Sequence, residues 1–217
     1  MIQAGTYGGG ALLALDGEFP SPEIVLDLRE THAPVVAADG AALKLLGCSV
    51  PPDTIIGDLD TLGERAMEFE RDGVNVICLE SQEENDLEKA LLWIIESGIA
   101  CVTIIGAGGG MTDHALNNFS VLARYASRLR ISLCEAVSLA YIVPDALFLS
   151  TSPGDRISLL PLPHATLRTT GLRWELHDEV LAVGGRSGTS NQATGTDVTV
   201  EVSDGIIAVF HYPGNGL

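Results

Sequence analysis

Two aspartates separated by one leucine, Asp58 and Asp60 in "PPDTIIGDLDT" (residues 51–61), follow a short apolar run. Acids two apart on an extended segment face the same way. One or two such hard oxygen donors, completed by phosphate and water, are how Mg²⁺ is usually held. The same residues also make ordinary turns, so the pair alone leaves both readings open. "PVVAADG" repeats the pattern, with Asp39 and Gly40 after an apolar run. Asp86 opens "NDLEKALLWIIESG", where it either complements a helix dipole or joins the other acids; Lys89 and Glu84 beside it read as solvated surface. A further concentration, "GAGGGMTDH" (residues 106–114), contains Gly109, Gly110, Asp113 and His114. Glycines let a ligand approach the backbone closely, and a following helix offers free N–H groups to an anion. No dinucleotide fingerprint fits, because Met111 stands where the third glycine of GxGxxG belongs, and no GK[ST] follows. Thr112 or Asp113 serves equally as a plain N-cap, and His114 as an ordinary helix residue.

These residues need elements to position them. "ALLAL" (11–15), "PVVAA" (34–38), "TII" (54–56), "VNVICL" (74–79), "CVTII" (101–105) and "RISLC" (130–134) read as strands. Between them, "SPEIVLDLRE" has Ser21 as N-cap and Pro22 at the first helical position. "NDLEKALLWIIESG" has Asn85 as N-cap, Glu88 in the capping-box position and Gly98 as a stop. "TDHALNNFSVLARYASR" places Leu116, Phe119, Leu122, Ala123 and Ala126 at helical spacing for a buried face. The alternation predicts an α/β layer with a mostly parallel sheet over residues 1–135. Every acid named above then sits at or beyond the carboxyl end of a strand, where ligands bind such sheets. From residue 136 to 217 the texture changes to short β-type runs without a helix, which predicts an all-β sandwich or barrel. Val198, Val200 and Val202 alternate with polar residues there, and Asp204-Gly205 predicts a two-residue hairpin. Trp174 lies in "GLRWELHDEVLAVGGRSGTSNQ" among short strands; buried it is core, and exposed it makes a stacking platform for a flat cationic ring.

Twelve basic against 29 acidic residues give a formal charge of −17, which argues against a nucleic-acid surface. The same field favours cationic ligands and requires a metal to screen any phosphate-bearing substrate. No apolar run reaches the roughly 18 residues of a membrane span, and the first eighteen residues lack the basic region of a secretion signal. Cys48, Cys78, Cys101 and Cys134 form no CxxC pair and read as reduced core residues of a cytoplasmic protein.

Taken in order, the motifs resemble those of the thiamine pyrophosphokinase (thiamine diphosphokinase) family. "AADGAALKL" is similar to ADGGANxL, "PDTIIGDLDT" to PDxIIGDxDS, "ENDLEKAL" to TDxxKAL, and "GAGGGMTDHALNNFSVL" to GAxGGRxDHxLxN. "ISLLPLP", "TTGLRWEL" and "GTSN" resemble the family's thiamine-binding region. The resemblance implies transfer of pyrophosphate from ATP to the thiamine hydroxyl, giving thiamine diphosphate and AMP, with Mg²⁺ bound. It implies a Rossmann-like nucleotide- and Mg²⁺-binding domain over 1–135, a thiamine-binding domain over 136–217, and a homodimer with its active site at the interface. Asp39, Asp58, Asp60 and Asp86 would form the metal–phosphate cluster, with Asp58, Asp60, Asp86 and Asp113 catalytic. Gly40, Gly109, Gly110 and His114 would line the nucleotide side, and Trp174, Ser190 and Asn191 the thiamine side. Three residues depart from the pattern: Leu43 for an asparagine, Asn85 for a threonine, and Met111 for an arginine. The last removes a phosphate-gripping guanidinium, for which Lys44, Arg65 or Arg186 would have to substitute. It also raises two alternatives, a non-catalytic thiamine- or nucleotide-binding homologue and a pyrophosphokinase for a different hydroxylated acceptor.

Overall fold

A computed structural model describes residues 2–4, 9–79, 81 and 83–214, so the secretion-signal reading of the N-terminus falls partly outside the described residues. The chain begins with β1 (Ile2–Ala4), β2 (Ala11–Ala14), α1 (Pro22–Thr31), β3 (Val35–Ala38), α2 (Ala41–Gly47) and β4 (Thr54–Gly57). It continues with α3 (Arg65–Arg71), β5 (Asn75–Cys78), α4 (Asp86–Glu96), β6 (Cys101–Ile105), α5 (Thr112–Tyr125) and β7 (Arg130–Cys134). The remainder is β8 (Leu139–Val143), β9 (Ala146–Ser150), β10 (Arg156–Thr170), β11 (Glu179–Ala182), β12 (Gly188–Gln192) and β13 (Asp197–Tyr212). Two compact units result, one of residues 7–121 with 134–136, the other of 1–6, 122–133 and 137–217.

In the first unit, β6, β2, β3, β4 and β5 lie side by side in that order, all parallel. Strands covered on both faces read as continuous apolar runs rather than alternations. Accordingly Leu12, Leu13, Ile55, Ile56, Ile104 and Ile105 are wholly buried, each burial contributing roughly 1.5–3 kcal/mol. From β2 the chain steps outward through β3, β4 and β5, then returns to place β6 on the other side of β2. That reversal opens a crevice at the carboxyl ends of β2 and β6, where ligands bind such sheets. The helices carry the expected caps: Ser21 Oγ accepts from Ile24 N at 3.5 Å, and Asn85 Oδ1 accepts from Glu88 N at 2.9 Å.

The second unit pairs β8 to β13 antiparallel, adds β1 parallel to β9, and, among the described residues beyond 136, contains no helix. Its frame is two long strands, β10 and β13, paired from Arg156–Tyr212 to Thr170–Thr199. The first part of β13 also pairs with β9 and its last part with β8. Inward residues including Leu147, Ile157, Leu159, Leu167, Val198, Val200 and Val209 form one core.

Several expectations are corrected here. Asp204-Gly205 does not turn a hairpin: it lies inside β13, where the pairing with β10 shifts register. Gly205 has φ +79°, and a Cβ there would stand 2.1 Å from His164 O. On α5 Leu122 is buried, as is Ala126 just beyond its end, but Leu116 is 69% exposed. Among the four unpaired cysteines only Cys134 is buried, and Cys78 is exposed. Lys89 is not surface but 5% exposed. No described helix is long and apolar enough to cross a membrane.

Candidate active site

A cavity of about 630 Å³ opens at the crevice, lined by the segments that follow β2, β3 and β6 and by the starts of α4 and α5. Asp39, Gly40, Asp86, Gly109, Gly110, Asp113 and His114 all line it, as do Asp16, Thr61, Asn85, Met111, Asn117 and Asn118. The sequence places these residues far apart, and the strand order brings them together.

Asp39 leaves β3 with φ +37° and is 4% exposed. Its Oδ2 accepts from Thr61 N at 3.1 Å, while its Oδ1 is buried without a hydrogen-bond partner among the described residues. Asp58 and Asp60 do not lie on an extended segment, as their spacing suggested. Leu59 between them adopts φ +65°, and Asp58 Oδ1 accepts from Asp60 N at 3.3 Å, closing a side-chain turn. The turn and the metal reading therefore coincide. One carboxylate oxygen from each of Asp39, Asp58 and Asp60 lies within 4.8 Å of the others. A buried, unpartnered carboxylate oxygen is costly unless something positive faces it. An all-oxygen acidic set of this kind fits a hard divalent cation such as Mg²⁺. Gly57 permits the assembly, because a Cβ there would stand 2.9 Å from Asp39 Cβ and 3.3 Å from Asp86 Oδ1.

Asp86 stands beside this trio at the start of α4, its Oδ1 3.2 Å from the buried Lys89 Nζ. Burial raises the Asp86 pKa; Lys89 opposes this, and the Asp58 and Asp39 charges add to it, leaving the pKa raised. Lys89 is thus spent on Asp86, and no lysine or arginine lines the cavity. Lys44 is tied to the loop after β2, with its Nζ 2.6 Å from Asp16 O and 2.9 Å from both Gly17 O and Asp16 Oδ1. Arg65 is 4.0 Å from Glu68 on its own helix, and Arg186 belongs to the other unit. Met111, 61% exposed, gives its carbonyl to Ala115 N at 3.1 Å. It is therefore the cap of α5, and Thr112 and Asp113 lie in the first turn.

The glycine loop after β6 is shaped by close approach. A Cβ on Gly106 would meet Leu15 O at 2.3 Å, and one on Gly109 would meet Glu18 Cβ at 2.6 Å. Asn118 Nδ2 donates to Ala107 O at 2.9 Å and ties α5 to this loop. Behind it Glu135 has a raised pKa, driven up by burial, held back by the Gly108 N–H and raised further by Glu18. Asp16 and Glu135 were absent from the predicted site, although both follow apolar strands as Asp39 does, so the strand-end rule reaches them. Thr61 acts through its backbone amide, which leaves no signal in residue type, whereas Asn118 acts through its side chain and falls on the closing asparagine of GAxGGRxDHxLxN, the signal that could have found it.

In the second unit a smaller cavity, about 280 Å³, is lined by Trp174, Arg186, Ser187, Thr189, Ser190 and Asn191 together with Leu159, Leu176 and Gly188. The three residues expected on the thiamine side thus share one cavity. Trp174 is 54% exposed, so it is not core. Asn191, 7% exposed, clamps the tryptophan backbone by accepting from Trp174 N at 3.1 Å and donating to Trp174 O at 2.7 Å. Ser190 adopts φ +62°, its N–H donating to Ser158 Oγ at 3.0 Å. Arg186 is paired with Glu179.

An α/β crevice at a strand-order reversal, with clustered carboxylates and a glycine loop leading into a helix, is an arrangement whose chemistry fits a polyphosphate and a divalent cation. Residues 26–133 match the family model "Thiamin pyrophosphokinase, catalytic domain", and residues 148–207 match "Thiamin pyrophosphokinase, vitamin B1 binding domain". The chain belongs to the thiamin pyrophosphokinase family. Thiamine pyrophosphokinase 1 of Arabidopsis thaliana is 30% identical over 181 residues, 76% of this chain and 67% of that protein. Thiamine pyrophosphokinase 3 of Oryza sativa is 32% identical over 155 residues, 64% of this chain and 58% of that protein's length. Among solved structures, the Candida albicans thiamin pyrophosphokinase superposes with a TM-score of 0.80 at 19% identity, covering 97% of this chain and 92% of its own. The Bacillus subtilis thiamine pyrophosphokinase does so with a TM-score of 0.77 at 19% identity, covering 94% and 99%. At that identity these structures establish the fold alone.

Proposed function

We propose that the protein transfers the diphosphoryl group of ATP to the hydroxyl of thiamine, releasing AMP and thiamine diphosphate. The observation that carries this reading is the trio Asp39, Asp58 and Asp60, with one carboxylate oxygen of each within 4.8 Å of the others and Asp39 Oδ1 buried without a partner, beside a cavity lined by no lysine or arginine among the described residues. Such a lining repels a bare triphosphate, so the nucleotide enters with its charge screened. Asp39, Asp58 and Asp60 would hold Mg²⁺, with Asp86 alongside. Bound there, the ion supplies charge screening and polarisation of phosphate oxygens, as in phosphoryl transfer generally.

The chain's own groups supply the rest. Backbone N–H groups of the glycine loop and the N-terminus of α5 receive phosphate oxygens. Lys89, held against Asp86, opposes the rise that burial imposes on that carboxylate's pKa. Trp174 offers an indole face to the flat cationic thiamine rings, and Ser190 a hydroxyl at the same cavity. We keep the division of labour proposed from the sequence, nucleotide and metal over 1–135 and thiamine over 136–217, although residues 1–6 and 122–133 group with the second compact unit. We also propose a homodimer with its active site at the interface. The exposed apolar side chains of Trp174, Val180 and Val183, which a partner would cover, support it. Because the matched relatives are themselves named as thiamine pyrophosphokinases, the non-catalytic and different-acceptor readings gain no support.

The test incubates purified full-length chain with ATP, thiamine and Mg²⁺ and quantifies AMP and thiamine diphosphate by chromatography. Equal amounts of both, abolished by omitting thiamine or by chelator, are expected. Thiamine-independent ATP consumption, or thiamine binding without AMP, would overturn the proposal.

A further inference from the structure

Trp174 presents a mechanical problem. Its backbone is fixed on both sides by the Asn191 clamp, and its neighbours Leu172 and Leu176 are 3% and 4% exposed. Neither constraint fixes the two side-chain torsions of an indole that is half in solvent. A stacking platform that rotates freely loses affinity, because each binding event must first freeze it.

The Arg173 guanidinium lies over the ring, 4.9 Å from the centroid. Two other arginines of this unit are committed elsewhere, Arg168 to Asp178 and Arg186 to Glu179. Glu175, the acid nearest in sequence, gives Oε1 to Gly171 N at 2.9 Å. Arg173 makes no ion pair among the described residues, which leaves its guanidinium to the indole. Trp174 lines the cavity, whereas Arg173 is not among the described residues that line it.

We propose that Arg173 is a positioning residue for thiamine: it braces the Trp174 indole from behind, so that the opposite face stands ready for a flat cationic ring. The inference rests on the thiamine reading of this cavity.

Two effects of the guanidinium oppose each other, and their sizes decide the sign. As a brace it holds the ring with the strength of an exposed cation–π contact, about two- to fivefold in affinity. As a positive charge it repels a cationic ligand on the far face, at a separation of about 10 Å. In water that repulsion is worth about twofold, and less once physiological salt screens it. The brace therefore wins, and removing Arg173 weakens thiamine binding rather than strengthening it.

Steady-state kinetics on the full chain test this with Arg173→Ala, Arg173→Gln and Arg173→Lys. At physiological salt the alanine variant should raise KM for thiamine about two- to fourfold, the brace less the screened repulsion, with kcat at saturating thiamine and KM for ATP close to wild type. Lysine, which keeps a cation over the ring, should recover most of the loss. Glutamine, a planar group without charge, should fall between them. An unchanged or lowered thiamine KM in the alanine and glutamine variants would overturn the inference, as would equal losses in kcat and in KM for ATP. If the alanine variant does not fold, the glutamine and lysine variants carry the same comparison. Wild-type chain that releases no AMP with thiamine would instead sink the functional reading, and this inference with it.

Discussion

Replacing Asp39 by asparagine should move stability and activity in opposite directions. In the cation-free protein Asp39 holds one oxygen on Thr61 N and leaves the other buried without a partner. The carboxylates of Asp58 and Asp60 lie within 4.8 Å of it. At that distance two unit charges repel by about 0.9 kcal/mol in bulk water and about 3.5 kcal/mol at an effective dielectric constant of 20. Asp58 is half-buried and Asp60 exposed, so the lower figure governs each pair, and salt reduces it further. Asparagine keeps an oxygen for Thr61, removes both repulsions and turns an N–H₂ toward the acids. The net gain is about 1 kcal/mol, or a melting temperature higher by about 2–4 °C in chelator. With Mg²⁺ the order should reverse, because only the wild type gains cation-binding energy. Turnover should fall by more than about 100-fold, beyond the loss typical of merely outer-shell changes. Thermal unfolding with and without Mg²⁺, beside the AMP assay, reads all three. A lower melting temperature in chelator, or an undiminished Mg²⁺ shift with normal turnover, would refute the reasoning.

Other outcomes follow from the same geometry. Gly57→Ala drives a methyl to 2.9 Å from Asp39 Cβ; it should cost about 1–3 kcal/mol in urea unfolding and depress turnover far more than that loss explains. Met111→Arg, at an exposed cap lining the cavity, should leave the melting temperature unchanged and lower KM for ATP by about three- to tenfold; a raised KM would show that the phosphates do not pass this cap. Asp155 is buried, and burial alone would raise its pKa. Hydrogen bonds from Ser152 N, His211 Nε2 and Gly214 N outweigh that and leave the pKa lowered. Its stabilisation is therefore full above the unfolded carboxylate value of about 3.9 and lost as pH falls through the lower folded value. Asp155→Asn should cost about 1.5–3 kcal/mol at pH 7 in urea unfolding, a gap that closes on acidification below about pH 4; a constant gap would contradict the assignment.

The parallel strands were legible because strands covered on both faces need unbroken apolar runs, and "TIIG" and "CVTII" supply them. The long helices announced themselves through Ser21, Pro22 and Asn85. The short helices α2 and α3 did not: each has seven residues and no side-chain cap. Asp204-Gly205 signalled a residue needing positive φ. A shifted register inside a long strand satisfies that need as well as a hairpin does. The acids of the site were legible by type and by their places after strands, but their approach was not. Left-handed Leu59 and the missing Cβ of Gly57 create it, and both are properties of the folded backbone. Lys89 read as surface because its three-residue spacing from Asp86 looks like any helix pair, whereas burial makes it that acid's counter-charge.

The central claim, that one diphosphoryl unit moves intact, is tested most directly by ATP labelled at the β-phosphorus. With thiamine, Mg²⁺ and the purified chain, the label should appear in thiamine diphosphate, leaving AMP unlabelled. Label retained in ADP, with thiamine monophosphate as the product, would contradict it.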